Sequence, residues 1–361
     1  METEQPFGEH ARRATRAYSA AADHYTLAAL GFWDRFGAAT VSRLRLAPGM
    51  SVLDLCCGAG ASATPAAHAV GAAGRVLGID VAAPLLKLAE GRAAREGLSN
   101  IEFRQGDATQ TGLPAGSVDA VLCVFGVFFA QDMTAFVQHM WRLVRPGGVL
   151  AVTTWGPGLF EPANSCFWRY VGAVEPSLYK NFNPWDEITT PAALAELFTR
   201  AGVPQPVVAA AEARHHLNSP DSFWDIVLGS GYRATVDALR PDQHERIRES
   251  VLAELLLQMR LGALRRAACL SEKRSGTLNL RDDDRSLVPP GDTGSPRSGG
   301  PARASPTQSR TAAPPICGGR TPQLAACREK VSRKGAAGGI GRPATTLRAS
   351  AVFGWAFGAA G

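Results

Sequence analysis

The segment Val52-Leu53-Asp54-Leu55-Cys56-Cys57-Gly58-Ala59-Gly60-Ala61-Ser62-Ala63 constrains this chain more than any other. Its apolar run reads as a buried strand, its glycines as a tight turn, and the small residues after them as the start of a helix. Gly58 and Gly60 allow positive backbone angles and leave no side chain in the way of a ligand. The helix that follows aims unpaired N–H groups at the same spot. A carboxylate, Asp54, sits in the strand end ahead of the first glycine. This arrangement implies a pocket for a nucleoside-bearing cofactor at the carboxyl end of a parallel strand.

The turn alone does not choose the cofactor. Gly58 to Ala63 fits the relaxed glycine pattern of dinucleotide enzymes, and Asp80, ending Arg75-Val76-Leu77-Gly78-Ile79-Asp80, stands where a carboxylate takes ribose hydroxyls in either case. Asp54 separates the rivals, because a carboxylate there repels a pyrophosphate and suits a cofactor bearing positive charge. A third strand, Ile101 to Gln105, runs into Gly106-Asp107, a third acidic strand end, able to accept from an adenine amino group.

Taken in order, Asp54/Gly58/Gly60, Asp80, Gly106-Asp107, Ser117 to Phe125 and the turn Arg145-Pro146-Gly147-Gly148 make the chain resemble a class I S-adenosylmethionine-dependent methyltransferase. The resemblance is to the small-molecule type related to quinone-biosynthesis methyltransferases, and it covers about Tyr18 to Leu255. It implies an α/β fold with a doubly wound, mostly parallel Rossmann-like sheet of seven strands, the last inserted antiparallel between the fifth and sixth. It also implies S-adenosyl-L-methionine as cofactor. Asp54 would organise the methionine end, with Gly58, Ala59 and Gly60 admitting it. Asp80 would take the ribose with Val81 packing on the adenine, and Asp107 would meet the adenine amino group beside Ala108. Cys123 would lie where the amino group and the acceptor meet. Tyr18 and Tyr25 are lid candidates, and Phe125 and Phe128 are candidates for the acceptor.

The alternation of strands and helices from Ser51 to Trp155 supports that fold independently. Phe7 to Ala39 reads as an amphipathic helical lid, giving an N-terminal region of residues 1–45. A cofactor-binding domain over 46–265 carries an aromatic-rich insertion at about 156–190. Val207 to Leu217 reads as a sixth strand and Pro241 to Met259 as a helix. No convincing strand follows, Gly276 to Leu280 being the weak candidate. Residues 266–361 are rich in Pro, Gly, Ser and Arg, a composition that cannot bury enough apolar surface to offset ordering entropy, so disorder is expected to about Ser350. The final antiparallel strand is therefore expected to be missing. The departure from the family pattern between Leu255 and Arg266 is what a shifted reading frame or an erroneous gene model produces.

Charge follows the same division. Ser271–Gly361 carries 14 Lys and Arg against 6 Asp and Glu, leaving 24 and 26 of the chain's 38 and 32 for the rest. The body is near neutral, so no nucleic-acid partner is expected for it. No apolar run is long enough to span a bilayer and no signal peptide is evident, which reads as a cytoplasmic protein. Cys56, Cys57, Cys123 and Cys166 form no C-x-x-C pair, so neither a metal site nor a disulfide framework is expected. The pattern leaves the oligomeric state open.

The expected reaction is in-line methyl transfer to a small organic acceptor, in which holding donor and acceptor at near-attack distance does much of the work. No general base stands out. His24 with Asp23, His139, and the adjacent His215 and His216 are the histidines weighed within the fold. Two alternatives remain at this level: an NAD(P)-dependent oxidoreductase, and a methyltransferase-like chain inactive for want of its last strand.

Overall fold

The computed structural model describes residues 7–276 and 345–358, with side-chain surroundings for 7–261 and 346–358. The chain divides into two compact units, Met1–Ala268 with Arg342–Gly361, and Cys269–Gly341. The sheet and the candidate site lie in the first.

Two helices, α1 (Glu9–Ala21) and α2 (Phe32–Val41), precede the sheet. The core then alternates as β1 (Ser51–Leu55), α3 (Ala63–Val70), β2 (Arg75–Asp80), α4 (Ala83–Arg95), β3 (Ile101–Gln105), β4 (Val118–Val124), α5 (Met133–Leu143) and β5 (Val144–Trp155). After it come α6 (Ala163–Val174), α7 (Pro191–Arg200), β6 (Val207–Leu217), α8 (Pro220–Leu228), α9 (Arg233–Val236), α10 (Pro241–Gly276) and β7 (Thr345–Phe357). The strand order is β3-β2-β1-β4-β5-β7-β6. β1 to β5 run parallel, and β7 lies antiparallel to both β5 and β6.

Burial explains this order. β1 is buried at every position and β4 at all but its last, as strands covered on both faces must be. β3, at one edge, is half-buried or exposed throughout. Two apolar cores cover the faces, one on α3 with Val52, Ala120 and Leu122, the other on α2, α5, α6 and α7. Below the site, the Asp119 carboxylate accepts from Ser51 N–H and Oγ–H at 2.8 and 2.7 Å, tying the starts of β1 and β4 together.

The antiparallel strand corrects the expectation of a missing one. It comes from Thr345–Phe357, after the basic, proline-rich stretch, and not from Gly276 to Leu280. Thr345 to Ser350, expected to be disordered, pair in register with β6 from Leu217 to Glu212. Leu347, Ala349, Ala351, Val352, Phe353 and Ala356 are buried; each large side chain among them contributes roughly 1.5–3 kcal/mol by leaving water. Gly354, which interrupts the apolar run in the sequence, is a packing seat. A Cβ there would stand 2.8 Å from the Phe198 ring of α7. α10 also runs past the expected boundary at residue 266, to Gly276. The remainder of the stretch expected to be disordered, 277–344, lies outside the described residues.

The N-terminal region is helical as expected but broken, because residues 22–31 turn between α1 and α2. α2 packs hard against the glycine turn: a Cβ on Gly37 would overlap the Ala61 carbonyl. Its Phe32 and Phe36 join Trp155, Phe160 and Phe353 in one aromatic cluster, with ring centroids 5.0 to 6.3 Å apart. The segment that covers the site is thereby anchored to β5 and β7 together.

Candidate functional site

The carboxyl ends of β1, β2, β3 and β4 converge on a cavity of about 260 Å³, roofed by α1 and the turn after it. Gly58, at φ +54°, forms its floor. A Cβ there would stand 3.0 Å from the Tyr25 hydroxyl, so the site requires glycine for both angle and space.

Asp80 fixes the turn. Its Oδ2 accepts from Gly58 N–H and its Oδ1 from Ala82 N–H, each at 2.9 Å. A carboxylate has about four acceptor directions, so two remain for a ribose. Burial pushes the Asp80 pKa up, and the backbone donors oppose that. Asp107, after β3, accepts from Thr109 N–H and Oγ1–H through Oδ1 alone, at 2.8 and 2.7 Å, leaving Oδ2 for an amino group. Val81 and Ala108 lie beside these two carboxylates on the lining.

Asp54 is placed differently from expectation. It is wholly buried beneath the turn and does not line the cavity. Its Oδ2 accepts from Ser62 Oγ–H at 2.7 Å, joining the strand end to α3, while Oδ1 has no partner. Burial pushes its pKa up to about 7; the Ser62 hydrogen bond lowers it and the Asp80 charge raises it further. Its influence on a ligand is electrostatic, through the turn.

Tyr18, Tyr25 and Phe125 line the cavity. Tyr25 stacks on Trp33 with centroids 5.5 Å apart, and Phe125 stacks on Trp155 at 3.8 Å. Burial raises both tyrosine pKa values, so both hydroxyls stay neutral donors. Four other expected residues are not on the lining. Ala59 faces a neighbouring cavity of about 310 Å³. Gly60, at φ +81°, is hemmed in by Thr64, Ala89 and Phe103 and serves helix packing. Cys123 is buried behind Cys56. Phe128 turns into the core against Phe129 and Trp185.

Sequence reasoning missed Trp33, Cys56, Cys57, Phe136 and His10, all on the lining, which Phe129 shares. His10, Ala14 and Tyr18 recur at helical spacing on α1, which is the signal that places that face toward the cavity. Trp33 is buried, and its Nε1, itself out of reach of solvent, has no partner. Among the described residues, the lining carries Glu9, Asp80 and Asp107 but no lysine or arginine. Such a field opposes a pyrophosphate and favours a ligand bearing positive charge. These observations fit S-adenosylmethionine: free acceptors for ribose and adenine, a glycine floor, and an acidic lining beneath neutral aromatic donors. No group of three possible metal ligands occurs among the described residues, and no described helix is long and apolar enough to cross a membrane.

Comparison with known proteins agrees. Residues 52–148 match the family described as "Methyltransferase domain". The chain is similar to nocamycin O-methyltransferase of Saccharothrix syringae, 31% identical over 189 residues, which are 51% of this chain and 60% of that protein. The chain thus spans less than two thirds of that relative's length. It is also similar to demethylmenaquinone methyltransferase of Lactococcus lactis, 30% identical over 181 residues, 47% of this chain and 71% of that one. Among solved structures, a SAM dependent methyltransferase from Aquifex aeolicus aligns with a TM-score of 0.37 at 19% identity, covering 56% of this chain and 91% of that one.

Proposed function

Since the chain belongs to the class I S-adenosylmethionine-dependent methyltransferases, we propose that it moves a methyl group from S-adenosylmethionine to a small organic acceptor with an aromatic or otherwise flat apolar body. The observation that carries this reading is the acidic, glycine-floored cavity in which Asp80 holds Gly58 and keeps acceptor capacity free. The relatives named above, called nocamycin and demethylmenaquinone methyltransferases, support a small organic acceptor.

When bound, the cofactor supplies an electrophilic methyl on a cationic sulfur. The protein's part is to bind, orient and dry the site. Asp80 and Asp107 take the nucleoside through their free lone pairs. Tyr18 and Tyr25 offer neutral hydroxyls from above. Phe125, Phe129 and Phe136 supply apolar faces that exclude water, so charge lost in the transfer is not stabilised beforehand by solvent. An acceptor that must lose a proton would need a base, and His10 at the mouth of the cavity is the imidazole placed to serve.

Calorimetric titration of the reduced full-length chain with S-adenosylmethionine and S-adenosylhomocysteine tests this. Saturable binding of both is expected; binding of a nicotinamide dinucleotide in their place would overturn the reading.

A further inference from the structure

Cys56 breaks the pattern of the strand it follows. It holds φ +58°, a left-handed angle that costs an L-residue with a side chain roughly 1–2 kcal/mol. In a continuing strand, side chains alternate, and Cys56 would point to the face opposite Leu55. Leu55 pairs in register with Cys123 of β4. The left-handed turn instead brings Cys56 round to the Cys123 side.

Gly126 records the result. A Cβ built there would meet Cys56 Cβ at 2.5 Å, Cys56 Sγ at 2.8 Å and Cys123 Sγ at 2.9 Å. Both sulfurs converge on the space that glycine vacates, so they lie no more than about 6 Å apart, a gap that a change of χ1 rotamer at the two cysteines can close. Diagonal neighbours on adjacent strands have Cα atoms roughly 5–6 Å apart, inside the range that a disulfide spans. Cys57 points elsewhere: its Sγ would stand 2.9 Å from a Cβ on Gly78 of β2. Cys56 lines the cofactor cavity, and Cys123 is wholly buried behind it. A reagent entering the cavity meets Cys56 first.

We propose that Cys56 and Cys123 are a modification site, a dithiol in the cavity wall that a low-molecular-weight disulfide oxidises to an intramolecular disulfide, and that this oxidation and cofactor occupancy exclude one another. The Cys56 thiolate attacks one sulfur of the reagent, breaking its S–S bond and releasing one thiol, which takes up a proton. Cys123 then gives up its proton and attacks Cys56 in the mixed disulfide, releasing the second thiol. Two protein thiols are oxidised and one reagent disulfide is reduced to two thiols. The adjacent Cys123 thiol and burial hold the Cys56 pKa well above its usual range, so exchange is slow and quickens as pH rises. A ligand in the cavity covers Cys56. Conversely, an S–S bond draws Cys56 toward β4, and Cys56 leads directly into the Gly58 turn that Asp80 holds.

The exclusion rests on the cofactor reading above; the dithiol does not. The test incubates the full-length chain with glutathione disulfide and maps non-reduced peptides by mass spectrometry. A Cys56–Cys123 link is expected, with S-adenosylhomocysteine affinity at least tenfold weaker and restored by dithiothreitol. Saturating S-adenosylhomocysteine should slow the link at least tenfold. Cys56→Gly, whose glycine relaxes the left-handed angle, should show no oxidant-dependent change in affinity from its own baseline. Thiols that stay unlinked after prolonged incubation, or a link that leaves affinity unchanged, would overturn the proposal. A reduced chain that binds no S-adenosylhomocysteine would instead sink the cofactor reading and the exclusion with it, while the peptide map still decides the dithiol.

Discussion

At neutral pH Asp54 stands between its two protonation states, because burial pushes its pKa up to about 7 from an ordinary 3.8. A cofactor with a sulfonium and an ammonium favours the ionised form beneath the turn. If the bound protein keeps Asp54 ionised, binding below pH 7 must first expel a proton. Each unit of pH then costs about 1.4 kcal/mol, a tenfold loss of affinity. The ionised fraction falls from about one half at pH 7 to about one eleventh at pH 6, so S-adenosylmethionine affinity is expected to fall about fivefold over that unit, to approach tenfold per unit below it, and to level off above pH 8. Close to one proton should leave per cofactor bound at pH 6, readable by calorimetry in two buffers of different ionisation enthalpy. S-adenosylhomocysteine lacks the sulfonium and should show a shallower slope. Asp54→Asn should flatten both curves and release no proton. Stability gives an independent reading. The folded pKa lies above the unfolded one, so the contribution of Asp54 is fully present below about pH 4 and is lost as pH rises through 7. The ligand-free Asn variant should thus be more stable than the parent above pH 7, by at most about 4 kcal/mol in urea denaturation. A parent profile flat from pH 6 to 8, or an equal slope in the Asn variant, would refute the reasoning.

Gly58→Ala puts a Cβ at φ +54° against the Tyr25 hydroxyl; stability should fall by roughly 1–2 kcal/mol and S-adenosylhomocysteine affinity at least tenfold, measured by calorimetry. Truncation after residue 344 removes β7 from between β5 and β6, so the product should lose cooperative urea unfolding and any ligand-induced rise in melting temperature; a cooperative, ligand-responsive product would contradict the topology. His215 is buried with both ring nitrogens unpartnered, and burial lowers its pKa from 6.5. Its folded pKa lies below the unfolded value, so stability should fall as pH drops below about 6.5, and His215→Phe should flatten that slope in denaturation curves recorded from pH 5 to 8, leaving the part due to His139, whose pKa burial also lowers.

The parallel half of the sheet was legible because each strand is local: an apolar run, a glycine turn and a helix within about thirty residues. Asp80, Gly58 and Asp107 followed from the same local pattern, since a strand end fixes where its next residues point. What escaped were features set by distant packing. The seat that Gly354 makes for Phe198 has no cue near it in sequence. Phe128 and Phe129 look equivalent in sequence, and a single turn of helix after Gly126 sends one to the core and the other to the cavity. The left-handed angle at Cys56 had no local cue, since a thiol is not a residue chosen for that conformation. Asp54 was identified as part of the cofactor site, but its depth beneath the turn depends on Ser62 capping it from the other side.

The position of β7 also sets an order of events during synthesis. β5 and β6 are complete by Leu217, yet the strand that pairs with both begins at Thr345. At about 5–20 residues per second, translation of the intervening 127 residues takes on the order of ten seconds. Throughout that interval both strands present unpaired backbone edges facing one another across an empty lane. Sheets closed by such distant partners fold slowly and expose edges that other chains can pair with. Pairing of either edge with a wrong partner before Thr345 emerges is therefore the misassembly this topology invites.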